Sequence, residues 1–412
     1  MSFISGLLAS VFERSYRRAI SDEAEGHTTS ELCRQLLGSH GEVSGSTLAR
    51  LIFDRYGAMN SDEKQSFFEF MTTSLEIDPQ AVRDTLKAYS DAPSKKSYRA
   101  FARACEPQRQ ELARRLNQVP GGTGQLVAMR KDLLAMLRDQ PALEPLDVDF
   151  QHLFASWFNR GFLVLRPINW SSPANILEKI IAYEAVHAID SWDDLRRRVQ
   201  PADRRCFGFF HPAMQDEPLI FVEVALTKGT PNSVQALLAD GRDAISADDA
   251  DTAVFYSISN CQAGLAGISF GNSLIKQVVA DLSRDLPNLK TFVTLSPIPG
   301  LNKWRAAADP AIAAGPDDTA VAAHYLIEAK RPGGNPLDPV ARFHLGNGAM
   351  VHAVHADADV SPNGMKQSNG VMVNYLYDLS QISKNHEQFV SEKTVVASSE
   401  VRALSASCGS EV

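Results

Sequence analysis

PLIFVEVAL, residues 218–226, and TAVFYSIS, residues 252–259, decide the fold. Each is short, rich in β-branched and aromatic side chains, and bounded by turn formers, which is how a strand is written. The acidic, Pro- and Asp-containing stretch between them is expected to hold a short helix. Working outward, FLVLRPI (162–168), RCFGFF (205–210), TFVTLS (291–296), MVHAV (350–354) and VMVNYLY (371–377) read as further strands. ANILEKIIAYEAV (174–186) and GNSLIKQVVADL (271–282) carry helical periodicity between them. Strands interleaved with helices predict a domain built on a substantial mixed sheet.

Upstream of Phe162 the pattern changes to helix after helix. In residues 122–140, Leu126, Met129, Leu133 and Met136 recur at helical spacing, and Arg130, Lys131 and Asp132 are expected on another face. Asn60 followed by Glu63 marks a helix start, because each side chain can satisfy a backbone N–H that the first turn leaves free. DAPSKKS (91–97) and QVPGGTG (118–124) interrupt the helices. The expectation is α+β overall: an all-helical bundle over 1–160, a mixed-sheet α/β domain over 161–392, and a surface or frayed tail over 393–412.

Composition narrows the function. A net charge of -8 over 412 residues argues against a nucleic-acid binder, which would show a basic stripe. Five dispersed cysteines without a C-x-x-C pair argue against a disulfide framework or zinc cluster. His352 and His355, three apart on one strand, would point to opposite faces and could not chelate one metal there. The opening MSFISGLLASVFERSYRRA suits an amphipathic helix better than a signal peptide, and no apolar run is long enough to span a membrane. GSEV at the end is not a peroxisomal address. A cytoplasmic protein without membrane or nucleic-acid partners is expected.

Three segments carry chemistry. AGISFGN, residues 266–272, follows a strand and opens a helix, where glycines let backbone N–H groups approach an anion such as a pyrophosphate. A ligand-free turn explains the same residues equally well. They also spell G-x-S-x-G around Ser269, but the polar NCQAGL (260–265) separates this serine from the strand end, and no HGGG-type segment is present. LSPIPG, residues 295–300, ends the strand TFVTL, and its two prolines would hold Ser296 rigidly at the mouth of the sheet. In ARFHLGNGA, residues 341–349, His344 sits among apolar residues, while Gly346, Asn347 and Gly348 suggest a tight loop.

Together, residues 204–229, 255–279, 295–304, 343–349 and 370–379 resemble malonyl-CoA decarboxylases, and the likeness runs from about Phe162 to Tyr377. The resemblance implies a second domain like GNAT-type acetyltransferases. It also implies that Ala266, Gly267, Ile268, Ser269, Phe270, Gly271 and Asn272 form the substrate-binding loop, although Ala266 and Ser269 depart from the usual pyrophosphate-loop pattern. Ser296 and His344 match the family's catalytic serine and histidine, and the helical domain would mediate homo-oligomers, tetramers built from dimers. The implied reaction converts malonyl-CoA to acetyl-CoA and carbon dioxide with no metal or organic cofactor. Alternatives are a GNAT-type acyltransferase, a non-catalytic acyl-CoA sensor and a serine hydrolase acting through Ser269.

Overall fold

The computed structural model describes residues 26–38, 41–268, 274–313 and 315–408. The amphipathic helix expected near the N-terminus lies outside them. The chain divides into two units. One gathers Met1–Phe162 with two short later segments, Pro212–Met214 and Gln262–Ser269; the other holds Leu163–His211, Gln215–Cys261 and Phe270–Val412. Among the described residues no helix is long and apolar enough to cross a membrane.

The first unit contains helices α1 (Thr29–Leu37), α2 (Glu42–Ala58), α3 (Ser61–Ser74), α4 (Pro79–Asp91), α5 (Lys95–Ala104), α6 (Gln108–Leu116), α7 (Gly122–Met136) and α8 (Glu144–Trp157). The expected start of α3 is present: Asn60 Oδ1 accepts the Glu63 N–H at 3.0 Å, and Glu63 Oε2 accepts the Asn60 N–H at 2.8 Å. Such a cap contributes about 1 kcal/mol. Leu126, Met129 and Leu133 of α7 are buried, as their spacing required. Arg130 departs from its expected face, because it too is buried, at 1% exposure. The pair α4–α5 buries no residue within either helix, and Tyr89 packs on Tyr98 and Phe101 across it.

The second unit is built on a mixed sheet of β1 (Val164–Ile168), β2 (Arg204–His211), β3 (Met214–Thr227), β4 (Thr252–Asn260), β5 (Thr291–Thr294), β6 (Ser296–Pro297), β7 (Met350–His355) and β8 (Met372–Leu376). The order is β1-β2-β3-β4-β5-β8-β6, with β7 also on β8. The first long strands are antiparallel, β4 and β5 are parallel, and β8 runs antiparallel to its neighbours. The β4–β5 register ends at Phe255↔Thr294 while β4 continues to Asn260, so the two strands part there. Phe255, Phe292, Val373, Tyr375 and Tyr377 share one core face with α12 (Leu274–Asp285) and α16 (Pro339–Gly346), whereas Val254, Val293 and Leu295 face the other way. Between α8 and β5 lie α9 (Ala174–Tyr183), α10 (Trp192–Val199) and the expected short helix, α11 (Val234–Leu238). Helices α13 (Leu301–Arg305), α14 (Pro310–Ala313), α15 (Asp318–Glu328) and α17 (Pro362–Ser368) follow among the later strands.

Within the stretch 393–412, expected as a surface or frayed tail, residues 393–408 carry regular structure. Downstream of α18 (Ile382–Glu392), Val351 N–H donates to Val396 and Ser398 N–H donates to Val351, both at 2.9 Å. The chain then forms α19 (Ser399–Ser407), capped by Ser398 on Val401 N–H, with Val401 and Cys408 buried. Its serine-rich composition hid a short helix anchored by buried Val401 and Ser405, with Leu404 partly buried.

Candidate active site

Ser296 and His344 meet. Ser296 leaves the sheet on β6, held by the pairing Ser296↔Val373. His344 sits on helix α16 and not in a tight loop, a correction to the glycine-based expectation. The determinants lie upstream: Asp338 accepts the Ala341 N–H at 2.7 Å as N-cap, and Pro339 fills the first helical position. The glycines only end the helix. Close packing also fixes the serine loop, since a Cβ on Gly300 would stand 2.3 Å from the Tyr325 hydroxyl.

His344 Nε2 lies 3.2 Å from Ser296 Oγ, and Nδ1 lies 2.8 Å from the Tyr377 hydroxyl. Ser296 Oγ donates onward to Thr294 Oγ1 at 2.9 Å, which also accepts the Tyr375 N–H at 3.1 Å. Asn374 secures Thr294 from the side, donating to its carbonyl at 2.6 Å. The imidazole stacks on Tyr375, with ring centres 4.5 Å apart. One tautomer satisfies this chain in a single direction: Tyr377 O–H donates to Nδ1, Nε2–H donates to Ser296, and Ser296 O–H donates to Thr294. Burial alone pushes the His344 pKa down to about 3, so the ring is neutral without a ligand. Burial likewise raises the Tyr377 hydroxyl well above its usual range.

This arrangement differs from a nucleophilic triad. Among the described residues no carboxylate backs the imidazole, and Ser296 donates to Thr294 and not to the histidine. The pair borders a cavity of about 260 Å³, lined also by Pro297, Phe343, Phe255 and Asn260, at the place where β4 and β5 part. The lining is mainly apolar, so charge entering it is poorly solvated by protein and strongly affected by the few polar groups present.

Of the other expected site residues, Ala266, Gly267 and Ile268 belong to the first unit, and Gly267 takes a left-handed φ of 78°. Ser269, Phe270, Gly271 and Asn272 lie outside the described residues. Tyr377 and Thr294 were missed as site residues. The alternation of VMVNYLY does place Tyr375, in β8, and Tyr377, just after it, on one face, but nothing in the sequence says that a histidine 33 positions before Tyr377 packs there.

Comparison with known proteins agrees with this architecture. Residues 161–319 and 315–411 match the model of the malonyl-CoA decarboxylase C-terminal domain, and residues 75–158 match that of its N-terminal domain. A mitochondrial malonyl-CoA decarboxylase from Anser anser anser is 34% identical over 348 residues, covering 72% of this chain and 69% of that protein. One from Rattus norvegicus is 32% identical over 354 residues, covering 73% and 72%. The crystal structure of malonyl-CoA decarboxylase from Rhodopseudomonas palustris superposes with a TM-score of 0.86 at 49% identity, covering 91% of this chain and 98% of that one. The Agrobacterium vitis enzyme gives 0.86 at 47% identity, covering 91% and 99%. The chain belongs to the malonyl-CoA decarboxylase family of carboxy-lyases.

Proposed function

We propose that this protein converts malonyl-CoA to acetyl-CoA and carbon dioxide at the Ser296–His344 pair. The observation that carries the reading is the Tyr377–His344–Ser296 hydrogen-bond chain at the edge of a small apolar cavity, in a chain of this family. The reaction breaks the bond between Cα and the carboxylate, moves its electron pair into the thioester as an enolate, and then adds one proton to Cα. The thioester is the electron sink. Donors aimed at its oxygen would contribute roughly 3 kcal/mol each.

The neutral state of His344 shapes the proton step. An anionic malonyl carboxylate beside the ring opposes the effect of burial and favours the imidazolium, so the substrate draws in the proton it will need. Ser296 hydrogen-bonds that carboxylate and turns it out of the thioester plane, aligning the breaking bond with the carbonyl π-system. Once carbon dioxide has left, His344 returns its Nε2 proton to Cα, and solvent restores it. Tyr377, whose hydroxyl can both donate and accept, serves the ring in either charge state. The turn at 266–272 would bind the coenzyme A portion.

Purified protein given malonyl-CoA alone should form acetyl-CoA and carbon dioxide, read by mass spectrometry. An acyltransferase would instead need an acceptor and release free coenzyme A, and a sensor would be stabilised without turnover. His344→Asn and Ser296→Ala should each lower kcat about 10²- to 10⁴-fold while leaving coenzyme A affinity largely intact. Near-normal turnover in either variant removes that residue from the mechanism.

A further inference from the structure

The cavity beside Ser296 and His344 has one wall that belongs neither to the sheet nor to α16. Ile220, Phe255 and Ile258 line it from β3 and β4, and Val340 and Phe343 from α16, whereas Val186 comes from the connection between α9 and α10. Connections of this kind are commonly the first parts of a fold to give way. This one is fastened on both sides. Glu184 accepts the N–H groups of Val186 and His187, each at 2.8 Å, and the Ser257 hydroxyl ties the same carboxylate to β4 at 2.7 Å. The Ala185 N–H donates to Ser259 Oγ at 3.3 Å. From the other side, Arg198 of α10 donates to the carbonyls of His187 and Ala188 at 2.7 and 2.9 Å, and is itself held by Asp194 at 3.0 Å. Ser257, Ser259 and Arg198 are all buried, so water competes little for these bonds.

A valine side chain offers no proton and no charge, so what the fastening secures is shape. Malonyl carries only hydrogens on the carbon that loses carbon dioxide. A larger group on that carbon must find room among the apolar walls next to Ser296 and His344. Those on β3 and β4 are continuous with the main core and have little freedom to retreat. A slack loop would swing aside and admit the extra group; a fastened one does not. We propose that Val186 is a specificity-determining residue, a size filter against 2-alkylmalonyl thioesters, and that Glu184 is the positioning residue that keeps it from yielding. A single methyl group in an apolar pocket changes selectivity by about 10- to 200-fold, which is the preference expected for malonyl-CoA over methylmalonyl-CoA. This inference rests on the reading of the Ser296–His344 pair as the decarboxylation site.

The test compares kcat/KM for the two thioesters, followed by carbon dioxide release, in the parent and in variants. Val186→Ala opens the wall and should lower the preference for malonyl-CoA about tenfold, while Val186→Ile should raise it. Glu184→Gln exchanges charge-assisted hydrogen bonds for weaker neutral ones and should lower the preference about threefold with Val186 still in place. The ratio is the useful quantity, because a loss of folded protein lowers both activities together and leaves it unchanged. If Glu184→Gln does not fold, Ser259→Ala, which removes the bond from Ala185, replaces it with the same expectation. A parent that uses both thioesters alike, or a ratio unchanged in both Val186 variants, overturns the size filter. A ratio that moves in the Val186 variants and not in the anchor variant removes the positioning role of Glu184. A parent inert toward malonyl-CoA sinks the decarboxylase reading and the filter with it, whereas an active parent with an unchanged ratio sinks the filter alone.

Discussion

At the scale of single residues, the proposed chemistry turns on His344, whose burial favours the neutral ring. The folded-state pKa of His344, about 3, lies below that of an imidazole in an unfolded chain. The unfolded chain therefore binds the extra proton first, and stability is lost as pH falls from about 6.5 toward 3. In ¹⁵N NMR of the free protein the His344 signal should remain that of a neutral ring at pH 5, and a non-reactive malonyl-CoA analogue should shift it toward the imidazolium. A ring that stays neutral in the complex would contradict the substrate-induced protonation. Tyr377→Phe removes the O–H that fixes the tautomer, and kcat should drop on the order of 10- to 100-fold with KM little changed, as steady-state kinetics will show.

At the scale of elements, helix α16 decides where His344 stands, and Asp338 decides where α16 begins. Asp338 is fully buried and its second carboxylate oxygen has no hydrogen-bond partner. Burial raises its pKa to about 6, against the opposing pull of the Ala341, Val340 and Gly300 amides and of the Arg342 guanidinium. The folded protein thus holds more protons than the unfolded chain between about pH 4 and 6, and this group's contribution to stability falls as pH rises through that window. Asp338→Asn keeps a capping oxygen and abolishes the titration. Its melting temperature at pH 7 should equal or exceed the parent's, by an amount worth up to about 3 kcal/mol, and the difference should shrink toward pH 4. Asp338→Ala, which loses the cap, should instead be less stable than Asp338→Asn by about 1 kcal/mol when both are followed by thermal melting.

At the scale of the whole molecule, we propose that the protein assembles as a homo-oligomer through its helical unit. The α4–α5 pair carries Leu86 and Tyr98 exposed at 45% and 56%, and neither helix buries a residue, which is an unfavourable way to leave an amphipathic hairpin in water. Leu86→Glu with Tyr98→Glu should reduce the mass seen by light scattering after gel filtration while the fold, read by circular dichroism, persists. An unchanged mass would show that this hairpin is not the contact.

The sequence by itself determined the two-part architecture. Periodicity is local, so the helical repeat around Leu126–Leu133 and the β-branched runs at 218–226 and 252–259 were legible without any neighbour. It also carried, through its likeness to a family, the choice of Ser296 and His344. Tertiary structure alone decided the rest. The Tyr377 hydroxyl and the Thr294 side chain became partners of the pair because β8 lies beside β5 and beneath α16, a juxtaposition that no spacing encodes. Arg130 was expected on a face away from the apolar stripe and proved buried, since besides Asp147 it binds the Gly264 and Ala266 carbonyls, more than 130 positions away. The apparent loop around His344 became a helix because a buried aspartate and a proline outweighed the glycines that follow. Composition reports what a segment would do in water, whereas burial, hydrogen-bond partners and pKa follow from what the rest of the chain packs against it.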